Sequence, residues 1–302
     1  MTHSEPQRFR FAWLLVAMLV GCGNSYEVTP GSTSRLQESL TIKGSDTMVI
    51  LAQRWAEGFM AANPSVAVQV SGGGSGTGIA ALINGTTELA NSSRPIKDRE
   101  RAHVKTTRGV EVVEHKVAID AIAVYVSDDN PVKTIDLATL KKVFRGKIKN
   151  WKELGGPDMP IVLYSRENNS GTYAYFKEVV LDDEDFAAEA QTLPGTAAVI
   201  HAVARDRRGI GYGGIAFGEG VHTLEIADGE GPAYAPTLEN ATQGLYPLAR
   251  FLFIYTAGEA GGPAQQYLEY VLSEAGQSVV EGVGYFPLPP EAETPDLPSN
   301  PD

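Results

Sequence analysis

The sequence predicts an α/β protein of two lobes, each a mainly parallel sheet flanked by helices, with two hinge crossings of the chain between them. Three observations lead there. Short apolar runs alternate with segments of helical periodicity from about residue 40 to residue 289, the order expected of parallel strands joined by crossover helices. Two runs, 121–126 and 246–255, are more strongly apolar than the rest and flank a central segment. Read as core-crossing strands, they divide the body into a first lobe built from both ends of the chain, 40–120 with 245–289, and a second lobe, 121–244. Short polar turns also follow several runs, at the places where open α/β sheets hold ligands. The 302 residues, 43% hydrophobic and 21% charged, suffice for one large domain or two medium ones. A formal net charge of −12 argues against a general nucleic-acid binder. It does not argue against binding one anion, which local donors decide.

The amino terminus carries a different signal. Arg8 and Arg10 precede an apolar run over 11–20, closed by Leu19-Val20-Gly21-Cys22. A positive segment, a short apolar segment and small residues make a secretory signal, and the run is short for a membrane span. The Leu-Val-Gly-Cys ending resembles a bacterial lipobox. That resemblance implies cleavage after residue 21 and a lipid on Cys22; a plain signal peptide or membrane anchor with an incidental cysteine is the alternative. Residues 22–39, rich in Gly, Ser and Thr without periodicity, read as a tether. Cys22 is the one cysteine, so with its thiol modified the body has no disulfide and depends on packing.

Within the body, 40–43 reads as a strand, followed by Gly44-Ser45-Asp46-Thr47 and a helix with Met48, Leu51, Trp55 and Phe59 on one face. Ser45, Asp46 and Thr47 are all good helix N-caps. A strand at 66–70 leads into a glycine-rich turn around Ser75, which opens a helix through 83. Its glycines let backbone N–H groups approach a ligand. It is no P-loop, for want of a Gly-Lys-Ser/Thr ending, and no nucleophile elbow, since Thr77 stands two residues after Ser75. A short strand at 88–90 ends in Asn91-Ser92-Ser93-Arg94-Pro95, and 97–107 is a charged helix. Two strand-like runs occupy 111–126, with Asp120 between them.

A helix is expected over 136–144, a turn at 150–154 and a strand at 161–164. The stretch that follows, Arg166 to Thr172, has the composition of an anion cradle. A helix N-terminus leaves N–H groups unpaired. Ser170 and Thr172 add hydroxyls, Gly171 a backbone N–H, and Arg166 a planar fork of donors. An ordinary Ser-capped helix with a surface Arg is the plain alternative. A helix follows over 192–205. Residues 209–214 fit GxGxxG formally but lack the strand–turn–helix context of a dinucleotide site, and read as a glycine-rich strand or turn. A strand at 221–226, a loop at 228–242, helices at 262–273 and 274–281, and a Pro/acid tail at 290–302, expected to be disordered, complete the chain.

Gly44-Ser45-Asp46-Thr47-Met48, Gly73-Gly74-Ser75-Gly76-Thr77-Gly78, Asn91-Ser92-Ser93-Arg94-Pro95, Ser170-Gly171-Thr172 and the ending Gly284-Tyr285-Phe286-Pro287-Leu288-Pro289 together resemble the phosphate-binding proteins of bacterial phosphate ABC importers. The resemblance runs from about residue 40 to 289 with order and spacing kept. It implies a type II periplasmic-binding fold closing on one dehydrated phosphate, with no cofactor and no metal. It also implies the membrane subunits of an ABC permease as partners, a monomeric receptor, and a place in the periplasm or at the cell surface. Carried over by position, the phosphate ligands are Ser45, Asp46, Thr47, Ser75, Ser93, Arg94, Arg166, Ser170, Gly171 and Thr172. One departure stands out: many members of that family carry an Asp where this chain has Ser93, followed by Arg94. That Asp accepts the proton of hydrogen phosphate, which sulfate lacks. Asp46 is the one carboxylate in a ligand turn of the first lobe, and is expected to take the acceptor role, with Arg94 balancing its charge or touching the anion.

The alternatives are a receptor for another tetrahedral oxyanion such as sulfate or molybdate, an anion sensor or adhesin without a permease, and a secreted phosphatase or serine hydrolase. His3, His103, His115, His201 and His222 show no metal-ligand spacing, and none lies in a ligand turn as a base for Ser75 or Ser170.

Overall fold

The computed structural model describes residues 38–218, 220–289 and Leu297. Cys22, the signal segment, nearly all of the tether and most of the acidic tail lie outside the described residues. Leu297 is buried against the main apolar cluster. Among the described residues, no helix is long and apolar enough to cross a membrane.

The chain begins with β1 (Glu38–Gly44), α1 (Val49–Ala62), β2 (Val66–Ser71), α2 (Ser75–Ile83), β3 (Leu89–Ser92) and α3 (Asp98–Arg108). A long β4 (Val112–Ser127) leads to β5 (Thr134–Asp136), α4 (Leu137–Phe144), β6 (Val162–Arg166) and α5 (Gly171–Leu181). Then come β7 (Gln191–Leu193), α6 (Gly195–Arg205), β8 (Gly209–Gly214), β9 (Val221–Thr223), β10 (Glu225–Ala227), β11 (Ala233–Tyr234) and α7 (Leu238–Thr242). The returning β12 (Ala249–Ala257), α8 (Gly262–Leu272) and α9 (Glu274–Val283) close the body.

One nine-stranded sheet runs in the order β2-β1-β3-β12-β4-β8-β6-β7, with β9 beside β4, and β11-β10-β5 form a small second sheet. Pairing is parallel in both flanks, among β2, β1 and β3 and among β8, β6 and β7. It is antiparallel in the middle, where β12 lies between β3 and β4 and β4 pairs with β8. The expectation of mainly parallel sheets therefore holds for the flanks, and the whole is mixed. The reason is the two long middle strands. β4 pairs with β12 as far as Ala121 and with β8 from Ile122, so one strand serves both flanks.

β4 is also one strand of 16 residues, not the two runs expected on either side of Asp120. From Val117 to Ser127 it is continuously buried, as a strand covered on both faces must be. α1, α8 and α9 cover one face of the first flank through Leu51, Trp55, Phe59, Tyr267 and Val280. α2 and α3 cover the other through Ile79, Leu82 and Val104, in a cluster that continues under α4 and α5 to Phe144, Phe176 and Tyr212. α6 closes the remaining face of the second flank with Val199 and Val203 over Tyr125 and Tyr164. Two further differences lie in the connections. Residues 221–226 are β9 and β10, which join different sheets. The loop expected at 228–242 holds β11 and α7, whose first turn is capped by Thr237.

Candidate anion-binding site

Parallel pairing decides where the polar turns lie. β1, β2 and β3 run the same way, so their carboxyl ends share one edge, and the turns bearing Ser45, Ser75 and Ser93 leave from that edge. β6 and β7 are parallel too; Arg166 ends the first, and the N-termini of α5 and α6 follow them. The hydroxyls of the first set lie against one another. Ser45 Oγ donates to Ser93 Oγ at 2.9 Å, and Ser75 Oγ is 3.4 Å from Ser93 Oγ. The Ser93 N–H donates to Ser75 Oγ at 3.0 Å, which leaves the Ser75 proton to point elsewhere.

The second set meets the first directly. Thr47 Oγ1 is 2.9 Å from Thr172 Oγ1. Asp46 Oδ2 accepts from Arg166 Nη2 at 3.1 Å, and Asp46 Oδ1 accepts the Gly73 N–H at 2.8 Å. Asn169 Nδ2 donates to the Gly73 carbonyl, and the Gly76 N–H donates to the Asn169 carbonyl. Gly171 stands so near the serines that a Cβ there would overlap Ser75 Oγ and lie 2.7 Å from Ser93 Oγ. Ser170 caps α5 by accepting the Tyr173 N–H at 3.3 Å. Ser45, Thr47, Ser75, Ser93, Arg166, Ser170 and Thr172 are all buried. Burying that many hydroxyls and a guanidinium without function would carry a desolvation cost that apolar packing would avoid.

Nine of the ten expected site residues are therefore assembled; Arg94 stands apart. Its guanidinium grips Glu100 through two bonds of 2.8 and 2.7 Å and donates to the Pro95 carbonyl. It does not balance Asp46, which pairs with Arg166. The reason is the start of α3: the Lys97 N–H also donates to Glu100 at 2.9 Å, so that carboxylate is fixed within reach of Arg94. The glycine-rich turn differs as well. Its Gly73 and Gly76 N–H groups bond Asp46 and Asn169. Asp46 is not a helix cap, since its carboxylate reaches across to Gly73 and Arg166.

Four residues not singled out for the site complete it. Thr196 Oγ1 accepts from Arg166 Nη1 at 2.6 Å. Tyr285 donates to the Thr47 carbonyl at 2.6 Å and fixes the first turn from beneath. Arg250 and Asp120 form an ion pair of 2.8 Å with side chains 1% and 0% exposed. Burial lowers the pKa of Arg166, opposed by Asp46 and Tyr212 and reinforced by the like charge of Arg250; a guanidinium nonetheless stays charged. Among the described residues, Arg166 Nε is buried without a hydrogen-bond partner. The site thus offers hydroxyl, guanidinium and helix-terminal donors, which suits an oxyanion.

A family model described as a PBP superfamily domain matches residues 28–275. The phosphate-binding protein PstS of Pseudomonas aeruginosa is 36% identical over 274 residues, covering 85% of this chain and 85% of that protein. The chain belongs to the PstS family. PstS of Bacillus subtilis is 37% identical over 288 residues, 92% of this chain and 91% of the relative. Among solved structures, a putative phosphate ABC transporter substrate-binding protein with bound phosphate from Clostridium perfringens superposes with a TM-score of 0.77. It is 29% identical and covers 83% of this chain and all of that one. The mixed sheet flanked by helices is the type II binding-protein architecture.

Proposed function

We propose that this chain binds inorganic phosphate outside the cytoplasmic membrane and hands it to the membrane subunits of an ABC permease. The observation that carries the reading is the meeting of the turns: Gly171 lies against Ser75 and Ser93, Thr47 meets Thr172, and Asp46 meets Arg166. The named functions of the relatives agree with it. Calorimetry of the protein against phosphate, arsenate, sulfate and molybdate tests it. Phosphate and arsenate should bind far more tightly than sulfate; absence of phosphate binding would end the proposal.

The serines act as donors here and do no covalent chemistry. Among the described residues, the histidines lie on α3, β4, α6 and β9, away from the four turns, so no base serves Ser75 or Ser170. A chromogenic phosphate ester should show no turnover. Discrimination falls to Asp46, the carboxylate in the ligand turns of the first flank, whose oxygens keep lone pairs beyond those taken by Gly73 and Arg166. It accepts the proton of hydrogen phosphate and repels sulfate. Asp46→Asn should narrow the phosphate-to-sulfate affinity ratio at least tenfold; an unchanged ratio would remove Asp46 from this role.

The two flanks of the sheet act as the lobes, 40–120 with 245–289 and 121–244. They hinge near residues 120–124 and 244–250, where β4 and β12 cross, and the protein works as a monomer. Cys22 carries the lipid that holds it at the membrane. Replacement of Cys22 by Ser should release the protein into the soluble fraction.

A further inference from the structure

The ion pair beneath the site lies on the two crossing strands themselves. In the β4–β12 ladder Arg250 and Asp120 are direct cross-strand partners, one register position before β4 leaves β12 for β8. Arg250 Nε and Nη2 donate to Asp120 Oδ2 at 3.0 and 2.8 Å. Asp120 Oδ1 accepts the Ile215 N–H at 3.2 Å. The guanidinium has donors to spare and uses them on both flanks. Nη1 donates to the Ser93 carbonyl at 2.7 Å, and Nη2 donates to Thr172 Oγ1 at 2.9 Å. One fully buried cation on the crossing thus bonds a ligand turn of the first flank and a ligand hydroxyl of the second.

That last bond narrows what Thr172 can offer. Arg250 fills one lone pair of Thr172 Oγ1 and can only donate. Thr172 and Thr47 share one bond between them. If Thr47 donates it, both lone pairs of Thr172 Oγ1 are filled and Thr172 has only its proton to offer; if Thr172 donates it, the Thr47 proton is left over, so in either sense the pair keeps one O–H donor. We infer that Arg250 is a positioning residue for the bound anion: from the crossing strands it occupies one lone pair of Thr172 Oγ1 and holds that hydroxyl where the Thr47–Thr172 pair can donate to the oxyanion, with Asp120 as its fixed counter-ion. The inference rests on the anion-binding reading above. It adds that a residue outside the ligand turns, and absent from the motifs that carry the family resemblance, positions a ligand hydroxyl.

A double-mutant cycle tests it, with phosphate titrated calorimetrically into wild type, Arg250→Lys, Thr172→Val and the double variant, each melted without phosphate to confirm folding. Lysine keeps the charge and the Asp120 contact but not the fork. Arg250→Lys should weaken phosphate binding about tenfold, the worth of one charge-assisted hydrogen bond. In the Thr172→Val background the same change should cost less than about twofold, because the hydroxyl through which Arg250 acts is gone. Equal losses in both backgrounds, or none in either, would overturn the inference. If Arg250→Lys does not fold, Asp120→Asn with Arg250→Gln replaces it and removes both charges together. If neither folds, Arg250 is a framework residue and the inference is overturned. Wild type that fails to bind phosphate would instead sink the underlying reading, so the two failures are told apart in one series.

Discussion

At the scale of single residues, the site is held by short polar contacts that tolerate no added atom. Gly171 is the clearest case. A methyl there would push into the Ser75 and Ser93 hydroxyls, so Gly171→Ala should cost about 1–3 kcal/mol of stability by overpacking. It should also lower phosphate affinity far more than the melting temperature suggests, because both serines are displaced; calorimetry beside a thermal melt separates the two. Arg94 supplies a pH prediction. Burial pushes the Glu100 carboxyl up, but the Arg94 fork outweighs it and holds the pKa below the ordinary 4.5. A depressed folded-state value means that the stabilisation is fully present above the unfolded-state value and is lost as pH falls through the folded one. The melting temperature should therefore decline below about pH 4.5. Glu100→Gln should lower it at pH 7 and flatten that acid decline. That Ser93 lies in a polar turn was legible from its place after a strand. The direction of the neighbouring Arg94 was not, because it depends on where α3 begins.

At the scale of elements, β8 shows how composition misleads and then informs. Four glycines in Gly209–Gly214 imitate a dinucleotide motif, and the strand they form has another purpose. A Cβ on Gly213 would lie 2.6 Å from Thr196 Cγ2, and one on Gly211 would lie 2.7 Å from Val199 Cγ1. The missing side chains let α6 lie close on the strand, which brings Thr196 to Arg166. Gly213→Ala should cost about 1–3 kcal/mol and weaken phosphate binding through the displaced Thr196, measured by melting and calorimetry. β4 teaches the converse. Asp120 interrupts an apolar pattern and reads as a break, yet the strand passes through it unbroken. The compensating charge is Arg250, 130 residues away in sequence, and only the ladder register makes them neighbours.

At the scale of the whole molecule, the flanks touch through Asp46–Arg166, Thr47–Thr172 and Gly76–Asn169. The two side-chain bonds join residues 120 and 125 positions apart, and they describe the two flanks brought together. Small-angle scattering should show the radius of gyration falling when phosphate is added to stripped protein. An unchanged radius would count against hinge closure between the crossing strands. Asn169→Ala, which removes the side-chain bond to the Gly73 carbonyl, should weaken binding several-fold with little change in melting temperature.

The sequence by itself determined the α/β class and the turns after strands, and it marked nine residues that the structure brings near one another, because those features are local. A strand, a capped helix start and a glycine turn announce themselves within a few neighbours. Only the tertiary structure decided which charges meet. Asp46 faces Arg166 and not Arg94, Asp120 faces Arg250, and Thr196 reaches the site from a third helix. Each of those pairings is set by strand order and register, which a single chain read in one dimension does not carry.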